Sequence, residues 1–133
     1  MSEHFTKVKG YLLDLDINIV HEDEADELVI VRDEERFIHN LVIDCEAPIV
    51  ILEQFILDVP ADPNQLFKRL LQLNRVLVHG AFVLDEAAEK VIFRDTLQLE
   101  NLDLNELEAS ITAITAAMAE NAKELIELSK PRS

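Results

Sequence analysis

The chain reads as an α+β protein: helix, four strands, helix, two strands and a long final helix (α-β-β-β-β-α-β-β-α), with an antiparallel sheet packed against the helices. Three observations predict this. Apolar residues recur at helical spacing near both termini and around residue 70. Between those segments lie short runs rich in Val, Ile and Phe, separated by acidic or proline-bearing breaks. Finally, Asp103-Leu104-Asn105-Glu106 carries the N-cap acceptor and N3 glutamate of a capping box, directly before a long apolar series.

The first helix is expected over 2–15, with Phe5, Val8, Leu12, Leu13 and Leu15 as its apolar positions and Ser2 as a cap. Gly10 within it carries the usual propensity cost. Residues 17–20 form a short strand, His21 to Glu27 an acidic connector, and Leu28 to Arg32 the second strand, followed by a turn at Asp33-Glu34-Glu35. Phe37–Cys45 and Ile49–Val59 are the most hydrophobic strands, parted at Glu46-Ala47-Pro48 because proline cannot donate within a central ladder. Strict alternation would put Phe37, His39, Leu41, Ile43 and Cys45 on one face, and Ile38, Asn40, Val42 and Asp44 on the other. Neither strand has a wholly polar face, whereas an antiparallel sheet with one solvated side should alternate cleanly. Something beyond the chain's own helices is therefore expected to cover part of the second face.

Asp62 as N-cap and Pro63 as first helical residue open the second helix, whose stripe of Leu66, Phe67, Leu70, Leu71 and Leu73 runs to about Leu77. His79–Asp85 and Lys90–Leu97 then form a hairpin around Glu86-Ala87-Ala88-Glu89. Gly80 marks either a bulge or a tight turn out of the helix. In the last helix Leu107, Ile111, Ile114, Met118, Asn121, Leu125 and Leu128 make a heptad seam, flanked by Ala109, Ala113, Ala116 and Ala117. Leu102 and Leu107 are placed for a hydrophobic staple, and Pro131 for the stop. At 1.5 Å per residue this helix is roughly 38 Å long, enough to cross a small sheet. Asn121 either sets the register of a helix pair or faces solvent at the overhang.

Composition narrows the function. The 133 residues suit one domain, 1–133, large enough for a real core without disulfides. Hydrophobic residues at 49% and charged residues at 29% place it among soluble globular chains. No run approaches the length of a membrane span and the N-terminus lacks an apolar signal segment; with a lone Cys45, a reducing cytoplasm is the expected compartment. Twelve Lys and Arg against 27 Asp and Glu give a net charge of −15, which repels phosphate backbones and anionic lipid. Nucleic-acid and membrane roles are thus disfavoured, and basic or apolar partners remain; the charge also serves solubility.

Catalytic chemistry finds little footing. The acidic run Glu22 to Glu27 lacks the alternation and glycine of a calcium loop and reads as a solvated connector. His4, His21, His39 and His79 show no zinc spacing. Cys45 could meet His39 or His79, but Asp44 and Glu46 beside it favour the neutral thiol. Two isolated glycines cannot build a phosphate or dinucleotide loop. Arg94, Asp95 and Arg75 suggest an ion pair, as a polar spot or at the rim of a strand. No catalytic, cofactor or metal residue is assigned.

The element order, with the phrases Leu70-Leu71-Gln72-Leu73-Asn74, Gly80-Ala81-Phe82-Val83-Leu84-Asp85 and Val91-Ile92-Phe93-Arg94, resembles the class I type III secretion chaperones, the Tir-chaperone-like fold, and the related YbjN-like regulators. The resemblance implies an acidic cytoplasmic homodimer without catalytic activity, holding an extended client segment on apolar sheet and helix surface. The expected partner surface is Ile38, Val42, Val50, Leu52 and Ile56, whose burial would contribute roughly 8–15 kcal/mol before association costs. A regulatory adaptor that recognises a folded partner is the alternative, and a metal-dependent enzyme around Glu22 to Glu27 or the histidines is the third.

Overall fold

The computed structural model describes residues 2–130. Its elements are helix α1 (Glu3–Asp14), strands β1 (Asn18–Asp23), β2 (Leu28–Asp33), β3 (Ile38–Glu46) and β4 (Ile49–Asp58), helix α2 (Asn64–Asn74), strands β5 (Ala81–Leu84) and β6 (Lys90–Gln98), and helix α3 (Leu104–Ser129). A single 3-10 turn, Glu34–Arg36, joins β2 to β3. This is the predicted order of elements.

The strands form one six-stranded sheet in the order β1-β2-β3-β4-β6-β5, antiparallel throughout. The first four make a meander. Helix α2 then carries the chain across, so that β6 pairs with β4 and the four-residue β5 becomes an edge. Phe5, Val8 and Leu12 of α1, Leu66, Leu70 and Leu73 of α2, and Leu107, Ile111, Ile114 and Leu125 of α3 join Val31, Leu41, Ile43, Val50, Leu52 and Phe93 of the sheet in one core.

Local chemistry sets the helix starts. Ser2 Oγ accepts from the Phe5 amide at 3.2 Å and Asp103 Oδ1 from the Glu106 amide at 2.8 Å, so two of the three predicted caps are made. Leu102 and Leu107 are both buried beside the second cap, as a staple requires. Asn121 is buried on the seam, and its Nδ2 donates to the Ala117 carbonyl of its own helix. Helix α3 closes at Ser129, with the Lys130 amide donating to the Glu127 carbonyl; the expected stop at Pro131 lies outside the described residues.

Several boundaries differ from expectation. Strand β1 continues through His21, Glu22 and Asp23, so the acidic connector shrinks to a turn; charged side chains are at home on an edge strand. Helix α2 begins one residue late, with Pro63 in the cap position and no side-chain bond to it. It also stops at Asn74 instead of near Leu77. There the Asn74 amide leaves the helix surface to bond the Phe82 backbone at both ends, Oδ1 accepting from N–H at 2.8 Å and Nδ2 donating to the carbonyl at 3.0 Å. Strand β5 is shorter than 79–85 because Gly80 has φ +74, and a Cβ there would run into the Phe93 ring. Gly80 is thus the tight turn out of the helix.

Candidate partner-binding surface

Two adjacent strands with no polar face must turn one apolar face away from the helices. The register shows which. Val29, Ile43 and Leu52 lie side by side across β2, β3 and β4, as do Cys45 and Val50, and all are buried against the helices. The residues between them point the other way. One row there runs Leu28–Asp44–Ile51–Thr96, and the next Ile30–Val42–Glu53–Arg94–Ala81. Ile92 and Val83, paired beside the exposed Phe55, extend the apolar part toward β5. Leu28, Ile30, Val42, Ile51, Ile92 and Val83 are each half-buried by their neighbours within the sheet.

The five residues expected to form the partner surface do not lie together on it. Ile38, Val50 and Leu52 are fully buried in the core, and Ile56 packs against it from the bulge between Phe55 and Leu57. Only Val42 belongs to the open face. The physical reason sits at the start of β3, where Asn40 takes a left-handed φ of 53 and Phe37, just before the strand, one of 60. Strict alternation breaks there, so Ile38 turns inward with Leu41 and Ile43, while Phe37 and His39 turn out. Gln54 holds the irregularity in place: its Oε1 accepts from the His39 amide at 2.9 Å and its Nε2 donates to the Phe37 carbonyl at 3.0 Å. In β4 the parity assigned to the partner surface is the one that faces the core. Ile30, Ile51, Ile92 and Val83 were missed, although the apolar residues on both parities of β3 and β4 signalled that a second face existed.

The open face carries charge as well as apolar surface. Glu53 and Arg94 form a cross-strand ion pair at 2.7 Å, with side chains 35% and 40% exposed. Arg32 donates to Asn40 Oδ1 at 2.7 Å, and Lys90 Nζ sits 5.6 Å from the centre of the Phe55 ring. Asp44 differs from these. Flanked across the strands by Leu28 and Ile51, it has one carboxylate oxygen, Oδ1, buried with no hydrogen-bond partner among the described residues. Burial pushes its carboxyl up to about 6, helped by the like charge of Glu46 and its side-chain hydrogen bonding, and by the charges of Asp26 and Glu53.

The other candidate residues serve the fold. Glu22 pairs with Lys9 at 3.2 Å, Asp23 Oδ1 accepts from the Asp26 amide at 3.0 Å, and Glu27 Oε1 accepts from the Ser2 amide at 2.6 Å, bonds that hold Glu27 below its usual range. Among the described residues no group of three or more His, Cys, Asp or Glu is placed to hold a metal ion. Cys45 is buried, and desolvation with the charges of Glu27 and Asp44 pushes its thiol up to about 12, far from a reactive thiolate. Arg94 pairs with Glu53 and not with Asp95, which points to the helix side and accepts from Ser110 Oγ at 2.7 Å. On that side a cleft of about 680 Å³ lies between the end of α2 and α3, lined by Ala113, Ala116, Ala117 and the strongly exposed Val76 and Val78. No helix of the described residues is long and apolar enough to cross a membrane.

A family model described as CesT_Tir_1 matches residues 1–131. Among solved structures the chain is similar to the HopA1–SchA chaperone–effector complex, at 13% identity over 89% of this chain and 91% of that one, with a TM-score of 0.66. It is similar to YbjN from E. coli, at 15% identity over 87% and 92%, with a TM-score of 0.63. A third likeness is the Yersinia pestis type III secretion chaperone SycH in complex with a fragment of YscM2, at 11% identity over 92% and 98%, with a TM-score of 0.60. At these identities the likeness establishes the fold. No curated protein sequence matches the chain significantly.

Proposed function

We propose, from the premise that this chain belongs to the CesT_Tir_1 family, the type III secretion chaperone family, that it is a non-catalytic, cytoplasmic protein that dimerises and holds a segment of another polypeptide. The observation that carries this reading is the open face. Ile30, Val42 and Ile51 form one apolar patch, and Ile92 with Val83 a second beyond the Glu53–Arg94 pair, both outside the core that α1, α2 and α3 share with the sheet's other side. The fold is that of SchA and SycH, each seen with a bound polypeptide, which supports assigning such a partner here.

Electrostatics favours a homodimer contact at the β5 edge of the sheet, away from Asp44. Each copy carries −15, so two copies approach most easily where carboxylates are lacking. At the corner of α2 and β5, Phe67, Leu70, Leu71, Phe82, Val83 and Leu84 line a shallow hollow without an ionisable side chain, and Leu71 is 71% exposed. Sedimentation at micromolar concentration is expected to give twice the 15.1 kDa chain mass, and a compact monomer refutes the dimer.

For the open face, Ile51→Glu is expected to abolish protection of β2, β3 and β4 amides by added amphipathic peptide, while changing stability by less than about 1 kcal/mol. Unchanged protection in that variant removes the face from the function. The regulatory alternative makes a different forecast: capture from the native host then returns one recurrent folded partner instead of an unfolded client.

A further inference from the structure

We propose that the segment held on the open face presents a lysine or arginine to Asp44 from within an otherwise apolar stripe. This rests on the reading that the face receives a polypeptide, and it specifies that polypeptide's chemistry.

The geometry begins with register. Asp44 stands on β3, toward the end of the face that adjoins the β1–β2 turn, with Leu28 opposite it on β2, Ile51 opposite it on β4, and Val42 two residues along its own strand. These neighbours strip water from one side of the carboxylate without supplying a donor, and Oδ1 is left buried and unpaired. An unpaired buried oxygen is costly, and a partner that satisfies it gains more than an ordinary surface contact would give.

Among the described residues, the cations on this face have other partners. Arg94 is engaged with Glu53, Arg32 with Asn40, and Lys90 lies over Phe55. The charges that reach Asp44 are those of Asp26 in the β1–β2 turn, Glu46 on β3 and Glu53 on β4, every one negative. His21 of β1 lies in the adjoining row, opposite Ile30.

Three kinds of occupant then separate. A second copy of this face would bring Asp44, Glu46 and Glu53 against their own kind, and like-charge juxtaposition disfavours it. A wholly apolar segment would bury the carboxylate further, so it could dock well only with Asp44 protonated. A segment with one cation among apolar residues answers the orphaned oxygen and the surrounding negative charge together. The raised carboxyl of Asp44 gives the last two occupants opposite pH dependence: the cationic one is favoured above about 6 and the apolar one below it.

The test uses the whole chain and two short peptides, one alternating valine with lysine and one alternating valine with glutamine, titrated between pH 5 and 8. The lysine peptide is expected to bind more tightly, and to weaken as the pH falls through about 6. Asp44→Asn should lower its affinity about tenfold and erase its advantage over the glutamine peptide. Glu86→Gln, which removes one charge from the exposed β5–β6 turn, should change it less than about twofold. Equal binding of the two peptides, failure of both to bind, tighter binding below pH 6, or indifference to Asp44→Asn overturns the pairing. Ile51→Glu separates the two levels. If it abolishes binding that Asp44→Asn leaves intact, the face is a docking site without the cation; if it leaves binding intact, the face reading itself fails.

Discussion

The two faces of the sheet are built from similar residues and meet different surroundings. On the helix side Leu41, Ile43, Val50, Leu52 and Phe93 are fully buried, each covered by side chains from other elements. On the open side Ile30, Val42, Ile51 and Ile92 have comparable hydrophobicity, but only their own sheet shelters them. Composition therefore does not distinguish a covered face from an open one here. Cover does. The charged groups reinforce the difference: Asp95 on the helix side is bonded to Ser110 of α3, whereas Asp44 on the open side keeps an unanswered oxygen.

The sharpest way to break this comparison is a matched pair of truncations in one strand. Leu52→Ala removes a fully buried side chain and leaves a cavity, and it is expected to cost about 2–5 kcal/mol in urea unfolding. Ile51→Ala, one residue away and facing outward, is expected to cost well under about 1.5 kcal/mol in the free protein. Equal losses would mean that the open face is covered after all.

A middle effect is expected at the edge where the faces meet. Asn74→Ala strips both hydrogen bonds from the Phe82 backbone in β5, at about 1–3 kcal/mol by chemical denaturation. Amide exchange should rise first in β5 and leave β3 unaffected.

The last effect is read as a slope. Asp44 has its folded carboxyl raised to about 6 above an ordinary value of 3.8, so between those limits the folded state holds the proton more tightly than the unfolded one. Its contribution therefore favours folding at low pH and is lost as the pH rises through about 6. Relative to wild type, Asp44→Asn should be more stable above that pH, with the difference vanishing below about 4. A constant difference across the range would show that Asp44 is not desolvated in the free protein.

Much of the architecture was legible because its signals are local. The cap at Asp103, the heptad seam of α3 and the apolar runs of β3 and β4 announce themselves within a few residues. The phrase ending in Asn74, read only as part of a family resemblance, proves to be a clamp on Phe82. Gly80, left between bulge and turn, proves to be required by its positive φ and by the Phe93 ring. The open face was half legible. That two apolar faces exist follows from β3 and β4 alone, but the chosen residues were mostly those of the buried face.

What the chain determines by itself is the succession of helices and strands, the acidity that turns away phosphate and anionic lipid, and an excess of apolar strand surface. These follow from backbone preference, side-chain spacing and net charge, all of which act over short stretches or over the whole composition. Which face is covered was decided only by tertiary structure. The left-handed residue at Asn40 shifts the parity of β3, and the choice of side for α1, α2 and α3 depends on contacts between segments far apart in sequence. A one-residue slip exchanges the faces of a strand, and alternation cannot reveal the slip when both faces are apolar.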